Sequence, residues 1–364
     1  MSLTDDQLIA LNTLRSVSLN RLYQLTGNPS LLTSTDWANA RTRRQIKDRL
    51  NETSSVAQRE RETAAGHGAT IITKNSPDYP RSLLDLELPP PVLYVRGLVP
   101  DSCQRDPALA IGIVGSRRCG VYGREAARLF GREIAAAGVA VVSGMAVGVD
   151  GSAHRGSLET GGQTIAVLGC GIDVTYPRQH RSLAEQISTQ GAVISQFPLN
   201  TPPLARNFPV RNHLIAALSQ RVLIVRATFR SGSLITARLA LDLGRDVFAV
   251  PGSIFDPKSQ GCHALLSDGA GVAHQPRDLL DFIAPADLPR QQRLMLPREV
   301  DPKLWKALPP LGESTSVDEL SETTHRRVDE LLVELSRMEL QGLVGRLPGD
   351  RFTRLCFPPN TQMG

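Results

Sequence analysis

Short segments of glycine and small hydroxyl residues follow the apolar runs in the middle of the chain. They include Gly115-Ser116-Arg117-Arg118, a segment that begins Ser143-Gly144, and Arg230-Ser231-Gly232-Ser233. Glycine lets backbone N–H groups approach an anion without a Cβ atom in the way, and a following helix adds the positive end of its dipole. Arginine brings a planar fork of donors that matches phosphate oxygens. These residue types predict a phosphate-binding surface.

For any one of these turns taken alone, tight packing between a strand and a helix is the favoured interpretation. The dinucleotide-binding fingerprint is broken, because Gly112 and Gly115 are three residues apart and the first lies inside the predicted strand. Similar turns follow two further runs, at Gly169–Gly171 and Pro251–Ser253. Five such turns on one edge of a sheet favour the phosphate interpretation.

Residues that could carry catalysis or hold a metal are sparse. Asp150 and His154 are four residues apart and could face one another on a helix, but helix capping and a packed histidine are the favoured interpretation. Cys262-His263 has no further ligands at metal spacing, and the five cysteines form no CxxC pair. We therefore expect no enzyme activity, metal or cofactor, and reduced thiols that pack as small apolar residues.

The composition is that of a soluble globular protein with a basic surface. The net charge is +5, and only five of the 41 basic residues are lysines, an imbalance that a GC-rich coding sequence would also produce. The chain has no apolar run of 18 residues, and its first residues lack a signal-peptide pattern. We expect a cytoplasmic protein that does not enter a membrane.

The elements that position the glycine-rich turns alternate between strands and helices. Strands without polar alternation are typical of a sheet covered on both faces, and this alternation predicts a Rossmann-like, doubly wound, mostly parallel α/β sheet. The predicted strands are Ala110–Val114, Val139–Ser143, Thr164–Leu168, Ala192–Phe197, Arg221–Ala227 and Asp246–Val250. The predicted helices between them include Tyr122–Ala137, Ala153–Thr160, Arg181–Thr189, Asn212–Ser219 and Ser233–Asp242.

The chain is predicted to divide into three domains and a linker. Residues 1–72 indicate a small helical domain, of a SAM or helix-hairpin type, and residues 73–285 the Rossmann-like domain. Residues 286–302, rich in proline and arginine, indicate a linker. Residues 303–364 read as two helices and a hairpin, typical of a winged-helix module. Residues 286–364 contain 11 basic and 12 acidic groups, which favours protein contacts over reading of duplex DNA.

Several blocks of the sequence resemble the DNA-processing protein A (DprA/Smf) family. The blocks run in one order between about Tyr79 and Leu280. They include Ile113–Arg118, Ser143–Asp150, Tyr176-Pro177, Phe208–Asn212, Ser231–Ala237 and Pro251-Gly252.

The resemblance implies a protein that binds and protects single-stranded DNA, forms a homodimer through the Rossmann-like domain, and helps to load the RecA recombinase during natural transformation. It implies that Arg117 and Arg211 clamp phosphates, that Asn212 contacts a neighbouring phosphate or braces the loop, and that Ser231–Ser233 offer backbone donors. The residues expected to bind nucleic acid are Gly115, Ser116, Arg117, Arg118, Gly144, Arg211, Asn212, Arg230, Ser231, Gly232, Ser233 and Thr236.

This sequence departs from the family pattern at three positions. His213 stands where the family usually has arginine, Gln196 where it has glutamate, and Arg226 where an acid is common. The charge network of the site is therefore expected to be rewired.

The alternative function is that of a nucleotide phosphoribohydrolase, an enzyme class with a related fold. Its signature places a catalytic glutamate close behind a glycine-rich turn. The stretch Ser231–Arg238 has no carboxylate before Asp242, and a loop without an acid cannot polarise a glycosidic bond in that way.

Overall fold

The computed structural model describes residues 3–32, 34, 37–104, 109–280, 301–310, 313–340, 343–347 and 349–354. Contacts divide the chain into two compact units, Met1–Leu288 and Pro289–Gly364. Most of the predicted linker, residues 286–300, lies outside the described residues. Within the described ranges, every helix is too short or too polar to cross a membrane.

A nine-stranded sheet organises the first unit, in the order β1-β2-β6-β5-β4-β3-β7-β8-β9. All neighbours from β6 to β9 are parallel, whereas β2 pairs antiparallel with both β1 and β6. This mostly parallel sheet confirms the predicted fold class. Its strands are β1 (Thr70–Thr73), β2 (Val92–Gly97), β3 (Ala110–Val114), β4 (Ala140–Ser143), β5 (Thr164–Val167), β6 (Ala192–Ser195), β7 (Arg221–Ile224), β8 (Asp246–Ala249) and β9 (Gly271–Val272).

Helices cover both faces of this sheet. One face packs against α9 (Asn207–Ala217), α10 (Ser233–Asp242) and α11 (Gln260–Ser267), and the opposite face against α6 (Gly120–Ala136), α7 (Val149–Glu159) and α8 (Arg181–Gln190). A short helix, α5 (Asp101–Gln104), precedes β3. Because the side chains of each strand alternate between two apolar layers, the strands show no polar alternation.

The N-terminal helices belong to the same compact unit as the sheet. They are α1 (Asp5–Asn12), α2 (Leu19–Gly27), α3 (Ala40–Asn51) and α4 (Thr53–Gly66). Leu8 and Leu22 are fully buried in a cluster with Val92 and Tyr94 of β2. Helices α3 and α4 meet at Glu52, which ends the first and precedes the second.

The second unit is a small helical module with a hairpin. It comprises α12 (Pro302–Ala307), α13 (Val317–Thr324), α14 (Val328–Leu340) and a three-stranded sheet in the order β10-β12-β11, formed by Thr315–Ser316, Arg351–Arg354 and Val344–Leu347. Ser316 and Glu319 form a capping box at the start of α13. His325 takes a left-handed conformation with φ of 55° and ends α13, and α14 begins at Val328.

Candidate nucleic-acid interface

A groove opens where β3 and β7 end side by side. From β3 the chain continues to β4 on one side, and from β7 it continues to β8 on the other, which makes this position the topological switch point of the sheet. Such crevices are the usual ligand sites of parallel α/β folds. The cavity, about 370 Å³, is here called the β3–β7 groove. It is lined by Arg117, Tyr176, Pro203, Ala205, Phe208, Pro209, Asn212, Gly232 and Ile235.

Arg117 is the cation that reaches this groove from the loop after β3. Its side chain is exposed, and the guanidinium carbon lies 5.1 Å from the centre of the Phe208 ring. The Tyr176 ring centre is 5.8 Å from that of Phe208. An arginine over an aromatic face is held by cation–π attraction. The groove therefore combines a guanidinium group with two aromatic rings.

Close backbone contacts hold the loop that carries Arg117. The Ser116 N–H donates to the Arg226 carbonyl at 2.7 Å, which ties the β3 loop to the end of β7. Gly148 has a φ of +86°, and a Cβ atom there would lie 2.6 Å from the carbonyl oxygens of both Ser116 and Arg117. Only glycine fits this combination of conformation and close approach.

The Ser231–Ser233 segment lines the groove through Gly232 and leads into α10. The hydroxyl groups of Ser231 and Ser233 are 2.7 Å apart, and the Ser233 N–H donates to the Ser231 hydroxyl at 3.3 Å. Gly232 is exposed, and a Cβ atom on it would meet nothing within 4 Å. The positive end of the α10 dipole therefore lies at the groove, beside Arg117.

Arg211 lies beneath the groove and differs in placement from the phosphate clamp that the resemblance implied. The residue is 4% exposed. Its guanidinium donates to the Gly144 carbonyl at 2.5 Å and to the Val167 carbonyl, and its Nε donates to Asn212 Oδ1 at 3.1 Å. A Cβ atom on Gly144 would lie 2.6 Å from this guanidinium. Arg211 thus joins the ends of β4 and β5 to α9.

The position of Arg211 follows from the start of α9. The sequence placed Arg211 in a loop and began the helix at Asn212, whereas α9 starts at Asn207. Pro209 falls in the first turn of that helix, where a missing N–H group costs nothing. Arg211 is therefore one turn inside the helix, on its buried face.

Asp150 and His154 form part of the buried floor and do not face solvent. Burial raises the pKa of Asp150 to about 6, against the opposing effect of the Arg211 charge. Its carboxylate accepts the Ala146 N–H at 3.3 Å, in the first turn of α7. Burial lowers the pKa of His154 to about 3.

The hydrogen bonds of His154 define its tautomer. Its Nδ1 is 2.7 Å from the Thr164 hydroxyl, and that hydroxyl donates its own proton to the Val141 carbonyl. Nδ1 therefore carries the imidazole proton. These contacts give His154 a structural role, as the sequence favoured.

The three departures from the family pattern have distinct environments. The Gln196 side-chain oxygen accepts the Tyr23 hydroxyl at 3.3 Å, so this position joins the sheet edge to α2. Arg226 pairs with Asp256, which neutralises its charge locally. His213 is exposed on α9, with Nδ1 3.3 Å from the Pro209 carbonyl.

The twelve residues expected to bind nucleic acid all lie at the carboxyl edge of the sheet or directly beneath it, at different depths. The groove lining includes Arg117, Asn212 and Gly232. Four of the twelve are exposed: Arg117, Arg118, Arg230 and Gly232. Four are half-buried: Gly115, Ser116, Asn212 and Ser231. The other four are buried: Gly144, Arg211, Ser233 and Thr236.

Sequence reasoning assigned no role to the aromatic residues of the groove. Only 4% of the residues in the chain are aromatic, yet Tyr176 and Phe208 meet here. Their occurrence in two blocks of the family resemblance was the available signal. Among the described residues, no group of three or more His, Cys, Asp or Glu side chains could hold a metal ion.

Comparison with known sequences and structures places these features in a family. A sequence model of "DNA recombination-mediator protein A" matches residues 70–284, and one of "DprA winged helix domain" matches residues 297–350. The chain is 39% identical to Protein Smf of Escherichia coli, over 80% of each chain. It is 39% identical to DNA processing protein DprA of Streptococcus pneumoniae, over 56% of this chain and 70% of that protein.

Two solved structures have the same architecture. The X-ray structure of DNA processing protein A from Streptococcus pneumoniae superposes with a TM-score of 0.64 at 29% identity, over 80% of this chain and all of that one. A structure of DNA processing protein A from Helicobacter pylori, described by its single-stranded DNA binding mode, has a TM-score of 0.52 at 29% identity, over 59% of this chain and 95% of that one. With its glycine-rich sheet edge and its winged-helix module, the chain belongs to the DNA recombination-mediator protein A family.

Proposed function

We propose that this chain binds single-stranded DNA in the β3–β7 groove and acts as a non-catalytic DNA-handling protein in natural transformation and recombination. The observation that carries the proposal is the meeting of Arg117, the α10 N-terminus and two aromatic rings at the switch point of the sheet. The single-stranded DNA binding of the Helicobacter pylori relative supports it.

In this proposal each part of the groove contacts a different part of the strand. The Arg117 guanidinium and the backbone at Gly232 contact phosphates, because both are exposed and electropositive. The rings of Tyr176 and Phe208 contact bases, whose faces stack on aromatic side chains without regard to sequence. The buried Arg211 positions the loops and does not itself contact DNA.

The absence of catalysis is part of the proposal. Asp150 and His154 are buried beneath the groove, where no substrate reaches them. Asp242, the acid on which a phosphoribohydrolase would depend, is the last residue of α10, whereas the groove lies at the first. A ten-residue helix separates the two positions by roughly 15 Å.

Dimerisation and RecA loading are further parts of the proposal, together with a cytoplasmic location. Val272 of the short edge strand β9 is exposed, and the exposed Leu241 lines a cavity together with Gly271 of the same strand. These apolar side chains at the sheet edge suit pairing through the Rossmann-like domain. The bound strand would then be passed to the RecA recombinase. The C-terminal module has an acidic helix, α14, which suits a protein contact better than a DNA groove.

A competition experiment tests the proposal. A labelled oligo-dT is bound to the full chain, and unlabelled single-stranded and duplex DNA of equal length compete across a salt series. We expect the single strand to compete more strongly, and with about four phosphates contacted, log K should fall with log salt at a slope of about −3. Equal competition by duplex, or affinity independent of salt, would contradict it. Light scattering on the same samples tests the dimer.

RecA loading has its own test. Strand exchange by RecA is measured on DNA already coated with a single-strand-binding protein. We expect this chain to shorten the lag before exchange, and an unchanged lag would refute that part of the proposal alone.

A further inference from the structure

Four exposed apolar side chains lie on two adjoining segments beyond the β3–β7 groove, one after β3 and one after β8. They are Val121 and Tyr122 at the start of α6, and Ile254 and Phe255 in the loop after β8. Ile254 is 76% exposed and Phe255 90% exposed. Exposed apolar side chains grouped on adjoining loops are typical of a binding site. We call it the β8 patch.

Specific contacts hold the two halves of the β8 patch together. The Tyr122 hydroxyl donates to the Pro251 carbonyl at 3.0 Å. The Arg226 guanidinium carbon lies 5.3 Å from the centre of the Tyr122 ring, and the same guanidinium pairs with Asp256, the neighbour of Phe255. The tyrosine ring is therefore fixed next to the loop that presents Phe255.

The β8 patch is continuous with the groove along the carboxyl edge of the sheet. The loop that places Arg117 in the groove continues through the exposed Arg118 to Tyr122. The loop after β7 also connects the groove to the segment after β8, because the Ala227 N–H donates to the Lys258 carbonyl at 2.9 Å. That β7 loop also presents the exposed Arg230, directly before the Ser231–Ser233 segment, whereas its Phe229 lines a cavity with residues of α10 and α11.

We propose that the β8 patch is a second base-stacking platform for the same single strand. The inference rests on the proposed function and extends it, since a strand leaving the groove would pass Arg118 and Arg230 and stack bases on Tyr122 and Phe255. Arginines that hold the backbone and exposed aromatic rings that take the bases are the two elements of sequence-independent single-strand binding. The exposed Arg118 and Arg124 flank the patch, a charge pattern that suits a polyanion better than an apolar protein surface.

The test compares Phe255→Ala with the wild-type chain on oligo-dT of two lengths. A strand of about five nucleotides fills the groove alone, and one of about fifteen also reaches the patch. We expect Phe255→Ala to weaken binding of the long strand by about fivefold or more, the effect of one lost stacked base, and to leave the short strand unchanged. A long strand made of abasic sugar-phosphate should bind both proteins equally.

Leu98→Ala is the matched control. Leu98 is an exposed apolar residue, at 83%, whose N–H donates to the Gly191 carbonyl directly before β6, at the opposite edge of the sheet. The Leu98→Ala variant should bind both the short and the long strand with wild-type affinity. Equal affinity of Phe255→Ala and the wild type for the long strand would overturn the inference. A change in the mass of the protein in solution on Phe255→Ala would also overturn it, because the β8 patch would then bind a second copy of this chain.

The outcomes also separate this inference from the proposed function. If Arg117→Ala leaves the short strand bound with full affinity, the groove assignment fails and the inference fails with it. If Arg117→Ala weakens both strands while Phe255→Ala weakens neither, only the platform is refuted.

Discussion

Replacing Arg211 tests whether a buried arginine shapes the groove or binds DNA itself. Arg211→Ala removes the donor to the carbonyls of Gly144 and Val167 and takes from Asp150 the stronger of its two nearby positive charges, the other being Arg117. Removing one member of a buried charge pair costs about 3–5 kcal/mol. Whole domains are stable by about 5–15 kcal/mol, so the loss should be large but compatible with folding at low temperature.

Urea unfolding at two pH values measures this loss. Burial already raises the pKa of Asp150 to about 6 with Arg211 present, and removal of the arginine raises it further. A carboxyl group with a raised folded-state pKa contributes stability at low pH that is lost as the pH rises through that pKa. The deficit of Arg211→Ala should therefore be smaller at pH 5 than at pH 8. Adding Asp150→Asn should restore part of the stability at pH 8.

The competing interpretation makes the opposite set of predictions. A solvent-facing phosphate clamp would lose little stability on substitution, within about 0.5 kcal/mol, and would flatten the salt slope of single-strand binding by about 0.7. Wild-type stability together with a flattened slope in Arg211→Ala would refute the positioning role.

Two further substitutions test the packing around the site. Gly148→Ala should lower the free energy of unfolding in urea by more than about 1 kcal/mol and weaken single-strand binding, because the new Cβ meets the carbonyls of the β3 loop. In the control Gly120→Ala, the residue has a φ of +70° but open space around it, so the variant should keep its affinity for single strands. Equal effects of the two substitutions on binding would contradict this packing argument. His154→Asn removes an imidazole whose pKa falls from 6.5 to about 3 on folding. In the wild type, the neutral buried imidazole costs no stability above pH 6.5. As the pH falls from 6.5 toward 3, the unfolded chain takes up a proton that the folded chain does not, and stability is lost. The variant should therefore lose less stability than the wild type between pH 7 and pH 5, by about 2 kcal/mol, and parallel pH profiles would contradict that assignment.

The sheet and the helical module could be predicted because their signals are local. Apolar runs such as Ala110–Val114 coincide with the observed strand β3, and the capping box at Ser316 marks the start of α13. The glycine-rich turns also predicted the edge of the sheet at which the β3–β7 groove lies. The edge could be predicted because parallel strands all have their carboxyl ends at the same edge of a sheet, where such folds bind ligands.

The depth of each site residue could not be predicted, since it depends on packing between elements distant in sequence. Arg211 is buried because α9 packs its inner face against the ends of β4 and β5, more than forty residues earlier. Phe208 meets Tyr176 for the same reason. The packing of Leu8 and Leu22 against β2 likewise has no local signal.

The most direct test of the account is the salt dependence of single-strand binding by Arg117→Ala. Its matched control is Arg81→Ala. Arg81 is an exposed arginine in the short 3-10 helix Arg81–Asp85. Asp85 of this helix pairs with Arg245, directly before β8, so the helix lies at the end of the sheet opposite to the groove. We expect Arg117→Ala to weaken binding on every sequence and to reduce the slope of log K against log salt by about 0.7, with Arg81→Ala unchanged. Equal affinity and equal slope for Arg117→Ala and the wild type would contradict the central claim that this groove holds the DNA backbone.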